Sequence, residues 1–255
     1  MHVRRMERTA AAIGVVACLV IFGETSAGNL NPPGPPAPTM KTLDQVEART
    51  PIGALPFTIS QSGSYYLTGN LQGVSGQDGI TVKADNVTID LNGFALIGVA
   101  GSGAGISLGV PSSRNLTIRN GTIQGMGNVG ILLFGDSHLV EYLHVRSNGG
   151  IGIEVEASAD HGGSIVQYNT VQRNGGTGIF IERGSASHNV LNTNLIYGID
   201  IYVGSASYNV SDHNLAGIHF ISGGSYFGNT LNDNTVSVAG GVNLGQNLCN
   251  NVACP

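Results

Sequence analysis

The sequence predicts an all-β protein, a parallel solenoid in which short strands stack rung upon rung. Three observations carry that prediction. A glycine followed by an aliphatic residue recurs at Gly79-Ile80, Gly105-Ile106, Gly130-Ile131, Gly152-Ile153, Gly178-Ile179, Gly198-Ile199, Gly217-Ile218 and Gly241-Val242, at spacings of 19 to 26 residues. The three residues after each glycine alternate with apolar outer members, as in ITV, IEV, IFI and IDI, which is the period-2 pattern of a strand with one buried face. Between them lies a second phrase, aliphatic and ending in asparagine, as in NVTIDLNG, SIVQYNTVQRN and YNVSDHN. Units of this length cannot bury an apolar face alone and do so by stacking.

Ahead of the repeat, Arg4, Arg5 and Arg8 precede an apolar run over residues 10–23. That run is too short to span a hydrocarbon core of ~30 Å, and Thr25-Ser26-Ala27 offers small residues for cleavage, so residues 1–27 read as a signal peptide. Val15-Val16-Ala17-Cys18 keeps a lipoprotein as the alternative, although the apolar run continues past Cys18 through Phe22. Residues 28–42 carry five prolines between positions 32 and 38 and read as an extended spacer. Export makes Cys249 and Cys254 readable as a disulfide closing the C-terminal end. The expected location is secreted, periplasmic or cell-surface.

Past position 27 the chain has eight basic residues against fourteen acidic ones, a net charge of −6. Nucleic acid, which needs a basic stripe, is excluded on that balance. Aligning the second phrases places Ile89, Ile118, Val140, Val166, Val190, Val210 and Leu231 in one register, with asparagines at the sharp turns that follow. Stacked asparagines are expected to hydrogen-bond to one another.

The G-I-x-h and N-x-h-x-N phrases, from about Ile80 to Leu244, resemble the repeat of the right-handed parallel β-helix of the pectin-lyase-like fold. The resemblance implies a right-handed parallel β-helix of about eight rungs with an N-terminal cap. Residues 43–78, containing PFTISQSGSYYLTGNL, would be the cap strands, and residues 79–255 the β-helix. Two nearly identical phrases, GSASHNV at residues 184–190 and GSASYNV at 204–210, would be equivalent turns on successive rungs, with SGGSYF at 222–227 a degraded third copy.

Stacking also decides which side chains become neighbours, because equivalent residues on successive rungs lie ~4.8 Å apart. The outward position of each triplet reads Thr81, Ser107, Leu132, Glu154, Phe180, Asp200, His219 and Asn243. The middle rungs thereby gather Glu154, Glu156, Glu182, Asp200 and His219 as candidate catalytic groups. Phe180, Tyr202 and Arg183 join them as candidate substrate-binding groups. Aromatic faces suit sugar rings, and carboxylates bind hydroxyls or exchange protons. Glu156 and Glu182 are expected about 5 Å apart, as in retaining glycosidases, and Glu154 and Asp200 about 9–10 Å apart, near the limit for inverting ones. The same residues equally make a solvated acidic face that keeps the sheet from aggregating.

Other features read as structure. Asp90, Arg119 and Glu141 form a ladder of alternating charge. His138, His144, His161, His188 and His213 lie at scattered registers, so no metal site is expected. GGIGIEVEA has Glu154 where a calcium-roll repeat needs aspartate. The sequons at Asn86, Asn115 and Asn209 follow from the asparagine-turn phrasing. The enzymes of the resembled fold carry W-I-D-H and R-x-P-x-x-R, or N-T-D, D-D and G-H-G, or D-P-H-D, and this chain has none of them and no tryptophan.

Two functions follow as expectations. One is a non-catalytic solenoid that binds glycan or builds the envelope. The other is a polysaccharide-active enzyme, a lyase, glycoside hydrolase or epimerase, working at the acidic face. The absent motifs and short loops favour the first. An acidic face repels uronate polymers unless a cation such as calcium bridges them, so the expected partner is a neutral glycan, or an acidic one with calcium. No cofactor, no membrane span and a monomeric state are expected.

Overall fold

The structure, a computed structural model, describes residues 48–109, 113–157 and 162–254. The expected signal peptide, the expected spacer and residues 43–47 of the expected cap lie outside those residues. Every described element is a strand, and the stacking pairs are parallel. Three faces wind around one core. On the first face, Phe57, Ile80, Ile106, Ile131, Ile153, Ile179, Ile199, Ile218 and Val238 stand in one column. Nine strands stacked in this way make eight rung-to-rung steps.

The glycine ahead of each triplet has a steric cause. A β-carbon built on Gly79, Gly105, Gly130, Gly152, Gly178 or Gly198 falls within 2.7 Å of the carbonyl oxygen of the next glycine in the column. Only a residue without a side chain lets the backbones approach so closely. The apolar outer members of the triplets then fill the interior. Ile80, Val82, Ile106, Ile153, Ile179, Ile181, Ile199 and Ile201 are fully buried, and Leu108 and Val155 nearly so. Burying each contributes about 1.5–3 kcal/mol.

The second face carries Ile89, Ile118, Val140 and Val166 in one column, as the sequence predicts. The column then continues through Ala186, Ala206 and Tyr226, not through Val190, Val210 and Leu231. The cause is rung length. Ile179–Ser187, Tyr197–Ser207 and Ala216–Phe227 each run from the first face to the second as one strand. The phrase after the triplet is therefore already on the second face, and Val190 and Val210 open the third. The repeated phrases do coincide: Gly184-Ser185-Ala186-Ser187 pairs residue for residue with Gly204-Ser205-Ala206-Ser207, and that with Gly224-Ser225-Tyr226-Phe227.

Between the second and third faces, Asn169, Asn189, Asn209, Asn229 and Asn247 form a buried ladder. Each side-chain nitrogen donates to the next side-chain oxygen at 3.0–3.1 Å, and that oxygen also accepts the previous asparagine's backbone N–H. Asn148, Asn174, Asn194, Asn214 and Asn234 build a second ladder where the third face returns to the first. The residue before most of these asparagines takes positive φ, as at Tyr168, Arg173, His188 and His213.

The two ends differ from expectation. Phe57–Ile59 pairs in parallel with Ile80–Val82, and Gly63–Leu67 with Val87–Asp90. The strands expected as a cap thus continue the stack as a rung of it. At the other end Val238, not Val242, follows Ile218, so Ala239 rather than Asn243 comes after His219. Val242 and Asn243 pair instead with Ser225 and Tyr226 on the second face. The chain then folds back, Leu248–Cys249 pairing antiparallel with Val252–Ala253. Cys249 stacks below Leu231 and is bonded to Cys254, with Cα atoms 5.0 Å apart. Both cysteines are buried, so the bridge lies over the end of the core.

Candidate functional site

The eight candidate site residues, Glu154, Glu156, Phe180, Glu182, Arg183, Asp200, Tyr202 and His219, fall on the first face or at its bend into the second. Glu154, Phe180, Asp200 and His219 occupy one column on four successive rungs. Tyr202 lies at an irregularity of the pairing between Ile201 and Val203, and it is exposed. Arg183 stands opposite Val203, with its Nε buried and without a hydrogen-bond partner. The alternation that buries Ile179 and Ile181 is what turns Phe180 outward, and the same rule turns Asp200 outward between Ile199 and Ile201.

The column divides into two polar groups with the Phe180 ring between them. The first is Glu154, Glu156 and Glu182. Burial raises the Glu154 carboxyl above its ordinary range, and Glu156 raises it further through its charge and a hydrogen bond. Burial also raises Glu156, as does the charge of Glu182, while the bond to Glu154 pulls it down. Glu182 accepts the backbone N–H of Ala157 at 2.8 Å.

The second group is a dyad. His219 Nδ1 lies 2.8 Å from Asp200 Oδ1, and Asp200 is buried. Burial raises the Asp200 carboxyl and the bond to His219 lowers it. The imidazole stacks on Tyr197, with ring centroids 4.7 Å apart. Strict alternation puts Tyr197 on the inner side with Ile199, so its role was not readable from the sequence. A second aromatic group also went unread. Tyr142, Tyr168, His188 and Tyr208 stack on successive rungs where the second face turns into the third.

Of the charge ladder, Asp90 is buried. Asp90 is ion-paired with Arg119 at 3.5 Å and with Arg49 at 3.7 Å, and Arg49 lies over the Tyr66 ring. Glu141 accepts a hydrogen bond from Gln167. His138 is buried, its Nδ1 accepting the Leu116 N–H and its Nε2 facing the Phe134 carbonyl. Burial holds its pKa below the ordinary value. His161 lies outside the described residues. Among the described residues no three His, Cys, Asp or Glu side chains group as metal ligands, and no helix is long and apolar enough to cross a membrane.

No curated protein matches this chain, and no solved structure does. A family model, described as the right-handed β-helix region, matches residues 58–236, well over half of the sequence. That span covers the stacked triplets from Ile80 to Phe220, the asparagine ladders except Asn247, and the whole acidic column, and the chain belongs to the right-handed β-helix family.

Proposed function

We propose that this is an exported, non-catalytic glycan-binding β-helix whose binding surface is the first face of the middle rungs. One observation carries the reading. An aromatic ring, Phe180, stands in register between a carboxyl pair and an Asp–His dyad, on strands whose backbone hydrogen bonds hold them rigid. A ring flanked by hydrogen-bonding groups matches the alternation of apolar and hydroxyl-bearing surface on a sugar. Neutral glycans fit this surface best, and acidic ones fit it with calcium bridging the carboxylates. The buried Cys249–Cys254 bridge and the basic–apolar leader support export.

The test is a glycan array with neutral and acidic polysaccharides, the latter with and without calcium. Binding that weakens at least tenfold in Phe180→Ala, with the fold intact, is expected. Binding unchanged in both Phe180→Ala and Asp200→Asn would place the surface elsewhere.

The Asp200–His219 bond favours a second reading, a polysaccharide lyase, hydrolase or epimerase in which His219 exchanges a proton and Asp200 orients it. Turnover that disappears in Asp200→Asn and Glu182→Gln would establish the enzyme in place of the binder.

A further inference from the structure

The four stacked rings beside the second face are not explained by the first. Tyr142, Tyr168, His188 and Tyr208 all have positive φ, between 54° and 56°. Bulky side chains seldom adopt that backbone, whereas asparagine and glycine do so readily. The same column shows the default: Asn120 one rung before Tyr142, at φ 60°, and Gly228 one rung after Tyr208. Three of four successive rungs therefore carry a tyrosine where asparagine or glycine is the easier residue, and that choice points to a use.

The geometry shows what the rings offer. Ring centroids are 5.2, 4.8 and 5.1 Å apart, with Tyr142 and Tyr168 within 4° of parallel. Carbon surfaces touch at about 3.5–4 Å, so the centroids stand farther apart than rings packed directly face to face. Tyr142, Tyr168 and Tyr208 are 53%, 43% and 49% exposed. Phe227 closes one end, edge-on to Tyr208 at 5.4 Å. The place of the Tyr208 ring depends on Gly228, where a β-carbon would come within 2.8 Å of two ring atoms.

The flanks of this ridge carry hydroxyl, amide and aliphatic groups, and one carboxylate, Glu141, which accepts a hydrogen bond from Gln167. On one side the rungs present Glu141, Gln167, Ser187 and Ser207, and on the other His144, Thr170, Val190 and Val210. In a chain of net negative charge, an aromatic ridge bordered by aliphatic, amide and hydroxyl groups, with a carboxylate on its first rung, suits a neutral sugar better than an acidic one. Its step, one ring per rung, is close to the length of one pyranose unit along an extended chain.

We infer that this ridge is a second binding surface, separate from the acidic face, for an extended neutral polysaccharide lying parallel to the solenoid axis. The test is affinity electrophoresis of the full chain in gels containing xylan, galactomannan or a β-1,3-glucan. The variant Tyr142→Asn/Tyr168→Asn/Tyr208→Asn gives those positions the residue that the same column carries at Asn120. Retardation of the wild type by at least one polymer, weakened tenfold or more in the triple variant at unchanged melting temperature and retained in Phe180→Ala, is the expected result. Tyr142→Asn alone touches one ring of the stack and carries the test if the triple variant does not fold, with a threefold or greater weakening expected. No retardation of the wild type, or equal retardation of the ridge variants, overturns the proposal. Loss in Phe180→Ala alone also overturns it and leaves the first face as the sole surface.

Discussion

The two halves of the solenoid solve the same corner differently. From Asn169 to Asn234 the ladder asparagines recur every 20 residues. Each corner there is held by one amide bonded above and below. The early rungs are longer, and their corner is held by Asp90. That carboxylate accepts the backbone N–H of Asn92 at 2.8 Å and the side chain of Asn120, and it pairs with Arg49 and Arg119. A repeated amide extends over any number of rungs with one residue type, whereas a charge cluster must be assembled for its place. The regular half thus frees its outward columns from structural work. Both the acidic column and the ring ridge lie mainly there.

That contrast can be broken at the core, and the largest effect is expected from Ile179→Asp. It places a carboxylate in a fully buried column of the regular half, at a cost of about 4–5 kcal/mol or more. Chemical denaturation should show the middle rungs unfolding ahead of the early ones, because rungs contact chiefly their neighbours.

The corners sharpen it further. Asn189 donates to the Val166 carbonyl and to Asn209, and it accepts from both nitrogens of Asn169. Asn189→Ala orphans these buried groups and should cost about 3 kcal/mol or more, at about 1–3 kcal/mol for each unsatisfied group. Asn120 is exposed at positive φ, so Asn120→Gly should cost less than about 1 kcal/mol. Equal losses in thermal melts would mean that the two corners are not held differently.

At the end of the stack, Cys249→Ser should cost about 2 kcal/mol, since the bridge closes only a short loop. Local hydrogen exchange should quicken at residues 248–254 while the ladders stay protected.

The smallest effect is the pH dependence. Glu154, Glu156 and Asp200 have raised values in the folded state. Their contribution is therefore present below the unfolded-state values, 4.5 for the glutamates and 3.8 for the aspartate, and it is lost as pH rises through the raised ones. His138 is lowered from 6.5, so its contribution is present above 6.5 and is lost as pH falls through the lowered value. Glu156→Gln should flatten the fall in stability as pH rises above 4.5 and leave the His138-linked loss below 6.5 unchanged.

How much of this was legible depends on what each residue reports. The glycine–aliphatic phrase was readable because it encodes two constraints at once, a backbone approach that excludes a side chain and a period-2 core. Its last copy misled, because the chain reaches the first face at Val238 before Gly241. Ala186 and Ala206 were missed as core residues because a small side chain gives a weak apolar signal. With them went the register of Val190, Val210 and Leu231. The acidic column was visible because alternation alone turns those side chains outward. The ridge was not, because its rings sit at turn positions where no periodicity predicts direction. Only the single difference between GSASHNV and GSASYNV, His188 against Tyr208, touched it.

The measurement that bears most directly on the central claim is hydrogen–deuterium exchange of the full chain with and without a bound polysaccharide. If the regular rungs carry recognition, added protection should fall within residues 153–227, on the first-face strands that carry Glu154, Phe180, Asp200 and His219. Protection confined to the early rungs, over residues 50–124, would contradict the account.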